Sequence, residues 1–341
     1  MNKVQIEDRL IGDGEPCYII AEACDNHMGN LETAKEMARQ AKAFGADAVK
    51  YQHHLPEEEM LKEGVPMSKN FNMPLFDFLK KFALKLEDHF VLKDFCGELG
   101  ITYLCTPFSK KAALEINELV PAFKIGSGEL TDIPTLKVIA GLGKPVILST
   151  GMSVIEEIDY TFNQLKPINE NIIFMNCTSE YPPKYEDINL GVIQTLKERY
   201  GIPIGHSDHT PDIYTCFGAV AKGANLLEKH FILDKKTLGP DQSVSIEPFE
   251  FYQLVHGVRK VELAMGEVKQ VNDEEKPIRA WAHRSIVSLV DIEPGTVLTE
   301  EHLWTKRPGT GIPAKELESI LGKKAARPIL KDKLLSREDF E

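Results

Sequence analysis

The sequence predicts an α/β protein: a (β/α)8 TIM barrel followed by a small loop-rich domain. Three observations carry this. Between residues 17 and 265, eight short apolar runs alternate with segments of helical period, the arithmetic of a (β/α)8 barrel. The first run leads into AEACDNHMGN and not into a G-x-G-x-x-G turn, which argues against a doubly wound open sheet. After Arg284 the texture changes to brief runs such as SIVSLVDI and RPILKDKLL, separated by turn signals at Glu293-Pro294-Gly295 and Pro308-Gly309.

Taken in order, strands are expected at 17–23, 46–52, 101–106, 122–127, 145–149, 172–177, 203–207 and 225–230. The first helix is expected over 31–44, where Leu31, Ala34, Met37, Ala38, Ala41 and Phe44 share a face and Gly45 follows as the residue after the cap. A longer insertion separates the second strand from a helix near 91–99, and another helix starts near Lys110. Ser153 and Glu156 stand in capping-box spacing at the head of a further helix, and a helix over 190–200 ends at Gly201. The polar stretch QVNDEEKPIRA interrupts the pattern. The expected organisation is a catalytic barrel over 1–269, a linker over 270–283 and the small domain over 284–341.

Composition narrows the function. Of 341 residues 43% are hydrophobic, enough for a sizeable core, and 40 basic against 52 acidic residues leave a net charge of −12. That balance argues against a nucleic-acid or anionic-membrane surface, and no apolar run approaches the roughly 20 residues of a membrane span. It leaves room for an anionic small substrate, since a pocket can be basic inside an acidic shell. Met1 to Gly12 has no signal-peptide pattern, and the six cysteines form no C-x-x-C pair. Buried free thiols in a reducing, cytoplasmic setting are the plain expectation.

In a barrel the reactive residues gather where strands end. The expected ends carry Glu22, then Lys50 with Gln52 and His53, then Thr106, then Lys124 with Ser127 and Glu129. The later four carry Ser149 with Thr150, Thr178 with Ser179 and Tyr181, Ser207 with Asp208 and His209, and Glu228 with Lys229 and His230. Two lysines and several hydroxyls at one mouth suit a phosphate or carboxylate. Two histidines on neighbouring strands can share a divalent ion, with Glu22 as a further ligand or proton handler. Singly, a histidine near a strand end is more often structural; jointly, on a barrel, the set reads as a site. Cys24, Cys105 and Cys177 are read as packing residues, His54, His89, His256 and His302 as surface or structural, and His206 as pointing away from the pocket.

At these residues the chain resembles the sialic acid synthase family, whose members condense phosphoenolpyruvate with an N-acetylated aldose. The segments that carry the resemblance are AEACDNHMGN, AVKYQHH, LCTPFS, FKIGSGE, LSTGM, CTSEYP, GHSDHT, LEKHF, GPD and KRPGTGI, in family order along nearly the whole chain. The last lies in a region that resembles the antifreeze-like (SAF) domain of these synthases. The resemblance implies His209 and His230 as metal ligands, with Mn²⁺ expected and Mg²⁺ or Co²⁺ as alternatives. It implies Lys50, Thr106, Lys124, Ser127 and Ser207 as the groups holding phosphoenolpyruvate, and Glu22 as the acid–base residue. Gln52, Glu129, Ser179, Tyr181 and Asp241 match sugar-contacting positions, Asn70 and Trp281 more loosely. Arg307 matches an arginine delivered to the N-acetyl group by the partner in a domain-swapped homodimer. The chain reads Thr178-Ser179-Glu180-Tyr181-Pro182 where neuraminate synthases often read T-N-x-Y-P, so Ser179 stands at the asparagine position. The expected activity is N-acetylneuraminate synthesis from N-acetylmannosamine. The alternative is N,N'-diacetyllegionaminate synthesis from a 2,4-diacetamido-2,4,6-trideoxymannose, and a metal-dependent phosphatase on the same barrel is the competitor from a different class.

Overall fold

Eight parallel strands close into a barrel in the computed structural model, which describes residues 3–68 and 70–341. They are β1 (Tyr18–Glu22), β2 (Ala48–His53), β3 (Thr102–Pro107), β4 (Phe123–Ile125), β5 (Val146–Ser149), β6 (Ile172–Cys177), β7 (Ile204–Asp208) and β8 (Leu226–His230). Each pairs with its sequence neighbour and β8 returns to β1, so no strand edge is left open. All eight are buried on both faces, which is why they read in the sequence as continuous runs.

Side chains alternate along each strand, and the alternation sorts two cores. Ile19, Ala21, Val49, Tyr51, Tyr103 and Phe123 face the surrounding helices. Tyr18, Ile20, Ala48, Leu104, Ala122, Ile147, Ile173 and Leu226 face the barrel axis. Val4, Ile6 and Ile11 join that inner core from an N-terminal hairpin of strands Val4–Ile6 and Arg9–Ile11, a feature absent from the sequence reading. The N-terminal half of the barrel interior is therefore apolar and filled.

The helices follow local chemistry. Leu31–Ala43 is capped by Asn30, whose side chain accepts from the Thr33 N–H at 3.0 Å, and it ends before Gly45 at φ +90°. The expected capping box at Ser153 is displaced: helix Ile155–Leu165 starts two residues later, and Glu157, not Glu156, accepts from the Val154 N–H. Ser153 instead donates to the Gly151 carbonyl at 3.3 Å. The insertion after β2 holds two short helices, Pro56–Glu59 and Leu75–Phe82. All six cysteines are buried and unpaired. Among the described residues no helix is long and apolar enough to cross a membrane.

The chain divides into two units, Met1–Met265 and Gly266–Glu341. The stretch read as a linker carries helix Glu275–Ala282. Pro277 does not prevent it, because it stands in the first turn, where a backbone N–H has no intrahelical partner. The second unit packs Ile286, Ile292, Leu298, Leu303, Ile312 and Ile329 around an antiparallel pair, Ser285–Ser288 and Leu303–Lys306.

His89 ties the helix Leu86–Leu99 to β3 through a 2.7 Å hydrogen bond between its Nδ1 and the Tyr103 hydroxyl. Burial, with His53, His27 and His54 adding to it, holds its pKa well below the usual 6.5. The folded state thus keeps His89 neutral while the unfolded chain takes up a proton, so stability falls as pH drops below the unfolded value. Urea melts at pH 7.5 and 5.5 should show a stability loss that is smaller by about 1.4 kcal/mol in His89→Gln. An equal loss in both proteins would exclude His89 as a source of acid sensitivity.

Candidate active site

The same alternation that fills the lower barrel with apolar groups turns polar at the C-terminal ends. Glu22 continues the Tyr18–Ile20 face of β1, Lys50 and Gln52 continue Ala48 on β2, and His230 continues Leu226 and Glu228 on β8. Register sets His230 opposite Glu22, Glu22 opposite Lys50, and Glu228 opposite Ser207. The result is a cavity of about 750 Å³ at the mouth of the barrel.

Its floor is an ionic cluster. Lys50 Nζ lies 2.6 Å from Glu22 Oε2 and 3.6 Å from Glu228 Oε2, and donates to Thr106 Oγ1 at 2.8 Å. Lys124 Nζ lies 3.2 Å from Glu228 Oε1 and donates to Ser149 Oγ at 2.8 Å. Ser207 donates to Glu228 Oε1 at 3.0 Å, and Gln52 Nε2 donates to Glu22 Oε1 at 3.0 Å. All four charged groups are at most 3% exposed. Burial and then the nearby Glu228 charge push the Glu22 pKa up against the pull of Lys50. Burial also acts on Glu228, but Lys124 and Lys50 together outweigh it and hold that carboxyl down. Two carboxylates with opposite shifts, side by side, separate a proton-handling group from a permanent anion.

Beside the cluster stand His209 and His230, ring centroids 5.1 Å apart. His209 Nδ1 donates to the Thr178 carbonyl at 2.8 Å, which leaves the Nε2 lone pair facing the cavity, where the Tyr181 hydroxyl meets it at 3.2 Å. His230 Nδ1 is buried and makes no hydrogen bond among the described residues; it lies 3.5 Å from Asp241 Oδ2. Burial holds His230 well below its usual pKa, so the ring is neutral. One imidazole oriented through its other nitrogen and one orphaned imidazole nitrogen beside a carboxylate fit a divalent cation. The cysteine next to them, Cys177, has Sγ 3.9 Å from His209 Nδ1.

Polar residues expected at the strand ends or assigned from the resemblance line the cavity: Glu22, Lys50, Gln52, Thr106, Lys124, Ser127, Glu129, Ser149, Ser179, Tyr181, Ser207, His209, Glu228, His230 and Asp241. Gly151 keeps one wall close: a Cβ there would come 2.2 Å from Ser179 Oγ and 2.8 Å from Ser127 Oγ. Three expected sugar contacts are not in this lining. Asn70 spends its amide on the Gly239 and Pro240 carbonyls at 2.7 and 3.3 Å, supporting the loop that carries Asp241. Trp281 and Arg307 belong to the second unit, where the guanidinium lies 4.6 Å from the indole centroid and Nε donates to the Ala282 carbonyl at 3.0 Å.

Other readings need correcting. Cys177 lines the cavity, and Cys24 turns its thiol toward His230 and Asp241, so neither is plain packing. His54, read as surface or structural, is the latter: it is buried, and its Nε2 lies 3.1 Å from Gln52 Oε1. His53, Asp208 and Lys229 sit at strand ends but face outward, to Glu115 at 2.9 Å and to each other at 2.7 Å. His206, as expected, is outside the lining, held between the Asn176 carbonyl and Asp208. Pro66, Leu75, Phe108 and Met152 supply an apolar wall that strand-end reading could not find, because they come from the insertion and the loops.

Residues 37–270 match the NeuB family and residues 283–341 the SAF domain. The chain is 38% identical to the N,N'-diacetyllegionaminic acid synthase of Legionella pneumophila, over 91% of each chain. It is 34% identical to the human N-acetylneuraminate-9-phosphate synthase, over 97% of this chain and 94% of that one. Among solved structures, an N-acetylneuraminic acid synthetase from Leptospira borgpetersenii, in complex with citrate, superposes with a TM-score of 0.74 at 31% identity, covering 81% of this chain and 95% of that one. With the barrel, its polar mouth and these likenesses spanning both units, the chain belongs to the NeuB family, the nonulosonic acid synthases, and ends in a SAF domain.

Proposed function

We propose that the protein condenses phosphoenolpyruvate with N-acetylmannosamine and water to give N-acetylneuraminate and inorganic phosphate. The observation that supports this most directly is the pair of buried ammonium groups, Lys50 and Lys124, bridged by Glu228 at the floor of the cavity. An enol phosphate brings a phosphate and a carboxylate, and two fixed cations with Thr106, Ser149 and Ser207 hydroxyls beside them match both.

C3 of phosphoenolpyruvate bonds to the aldehyde carbon of the sugar, and the aldehyde oxygen takes a proton. Water bonds to C2, where positive charge develops, and gives up a proton to the Glu22 carboxylate. The C2 hydroxyl then gives its proton to the departing phosphate as the C2–O bond to phosphate breaks, so that C2 becomes the ketone carbonyl and hydrogen phosphate leaves. Lys50 and Lys124 face the phosphate charge throughout, and holding both reactants in one cavity supplies orientation. His209 and His230 would hold a divalent cation, Mn²⁺ by expectation with Mg²⁺ or Co²⁺ as alternatives, whose chemistry when bound is polarisation of the aldehyde oxygen. Gln52, Glu129, Ser179, Tyr181 and Asp241 offer polar contacts to the sugar. Arg307, exposed in the second unit, is assigned to the acetamido group of a sugar held by another copy of the chain in a homodimer. Six unpaired thiols suit a reducing, cytoplasmic setting.

A second acceptor is favoured by one specific feature. The Pro66, Leu75, Phe108 and Met152 wall suits a methyl group better than a hydroxyl, and so a 2,4-diacetamido-2,4,6-trideoxymannose. The L. pneumophila likeness points the same way.

Phosphate release from phosphoenolpyruvate with Mn²⁺ separates these readings. It is expected only when N-acetylmannosamine is present. Preference for the trideoxy sugar moves the protein to the legionaminate reaction with its mechanism intact, and release without any sugar would replace the synthase by a phosphatase. His209→Ala and His230→Ala should each lower divalent-ion affinity about 10-fold or more and abolish turnover. Retained turnover in either protein would remove that residue from the cation site. Arg307→Ala should raise the KM for the sugar while leaving that for phosphoenolpyruvate unchanged, and an unaltered sugar KM would take Arg307 out of the site.

A further inference from the structure

Cys24 lies just past the end of β1 and is fully buried. Its Sγ, a ring nitrogen of His230 and a carboxylate oxygen of Asp241 all lie within 4.8 Å of one another. These atoms come from three places in the chain: the loop after β1, the end of β8 and the loop held by Asn70. The His230 nitrogen that faces Asp241 makes no hydrogen bond among the described residues, although it is buried. A buried imidazole nitrogen left unsatisfied costs free energy unless something else engages it. The backbone adds a second oddity. Cys24 sits at φ +41°, a left-handed conformation in which glycine is the undemanding choice. Backbone conformations of this kind gather at functional sites.

We propose that Cys24 is a cation ligand, so that this protein holds its divalent ion through Cys24, His230 and Asp241 in addition to His209. The proposal rests on the reading of the histidine pair as a cation site and extends it by a sulfur donor. On binding, the thiol proton leaves to solvent and the sulfur lone pair engages the cation, the state in which cysteine ligates. A thiolate shifts preference toward Zn²⁺, Co²⁺ and Fe²⁺ and away from Mg²⁺, whose ligands are oxygen. The chain thus combines the polar cavity of a synthase with a softer ion site than two histidines and water would make.

Co²⁺ is the probe, because a cobalt–thiolate bond adds a near-ultraviolet charge-transfer band that nitrogen and oxygen ligands do not. The purified full-length protein, stripped with chelator, is titrated with Co²⁺ while absorbance and equilibrium dialysis are followed together. The wild type should bind one Co²⁺ and show the band. Cys24→Gly, which removes the thiol and suits the positive φ, should remain folded with an unchanged or higher Tm. It should bind Co²⁺ about 10-fold or more weakly and lack the band. Cys177→Ser should keep the band, since the other nearby thiol is not the ligand. Co²⁺ bound by the wild type without the band, or a band that survives in Cys24→Gly, would overturn the sulfur ligand while leaving the histidine site standing. Loss of the band in Cys177→Ser but not in Cys24→Gly would move the ligand to Cys177 and likewise overturn the proposal. No Co²⁺ bound at all, with His230→Ala indistinguishable from wild type, would instead bring down the cation site itself.

Discussion

Four charges inside a closed strand ladder are the constraint on which the rest of the barrel depends. Lys50, Lys124, Glu22 and Glu228 are all but inaccessible to solvent, and each ion removed from water loses several kcal/mol of hydration. Such a cluster survives only if every member has a partner of opposite sign at short range. Glu228 meets that need for both lysines at once, and Glu22 meets it a second time for Lys50. The hydroxyls of Thr106 and Ser149 accept from Lys50 and Lys124, and that of Ser207 donates to Glu228. The apolar plug below, sealed by the N-terminal hairpin, keeps water from reaching the cluster from the other end. A charged substrate entering from the mouth finds cations already positioned, and its own charges can replace part of what the carboxylates supply. Because the groups are fixed beforehand, little reorganisation accompanies the reaction.

This arrangement also explains which strand-end residues take part. In S-D-H on β7 and E-K-H on β8, the outer members face the cavity and the middle ones face the helices. Asp208 and Lys229 therefore find each other behind the strands at 2.7 Å, with Thr210 and His206 completing a second buried network. Two lysines of similar burial serve opposite ends: Lys50 serves the cavity, Lys229 the packing of β7 on β8. Parity along a strand decides between them, and parity is readable from sequence once the strand is placed. That is why the inward set, from Glu22 to His230, was legible in the sequence together with the barrel itself.

What the sequence did not disclose came from contacts made across distant segments. Glu228 reads as one more salt-bridged acid until β4 and β2 bring Lys124 and Lys50 to either side of it. Cys24 and Cys177 look like any thiol in an apolar run, and only the closing of β8 on β1 and of β6 on β7 sets them beside histidines. Asn70 lies in the insertion, and its amide reaches across the chain to steady the Gly239–Pro240 turn. Helix starts shifted by a residue or two, as at Val154, because two acids in succession offered two equivalent caps. The helix at Glu275–Ala282 was hidden by a proline that is harmful in a helix interior and harmless in a first turn.

The insertion after β2 shows how one of these unread contacts reaches the reacting groups. Glu59 and Asp25 flank His54 at 3.0 and 3.4 Å, and their charges outweigh burial to raise its pKa. Facing an amide oxygen, the His54 Nε2 can only donate, so it directs the Gln52 carbonyl oxygen toward itself and thereby turns the amide nitrogen toward Glu22. The ring is further held flat against Phe108, centroids 4.2 Å apart, and Phe108 is itself part of the cavity wall. The orientation of one amide, and with it one hydrogen bond to the carboxylate assigned to the attacking water, is thus set by two acids outside the cavity. A barrel mouth built only from strand ends would leave Gln52 free to rotate. The short helix Pro56–Glu59 removes that freedom, because it is the element that brings Glu59 back onto His54.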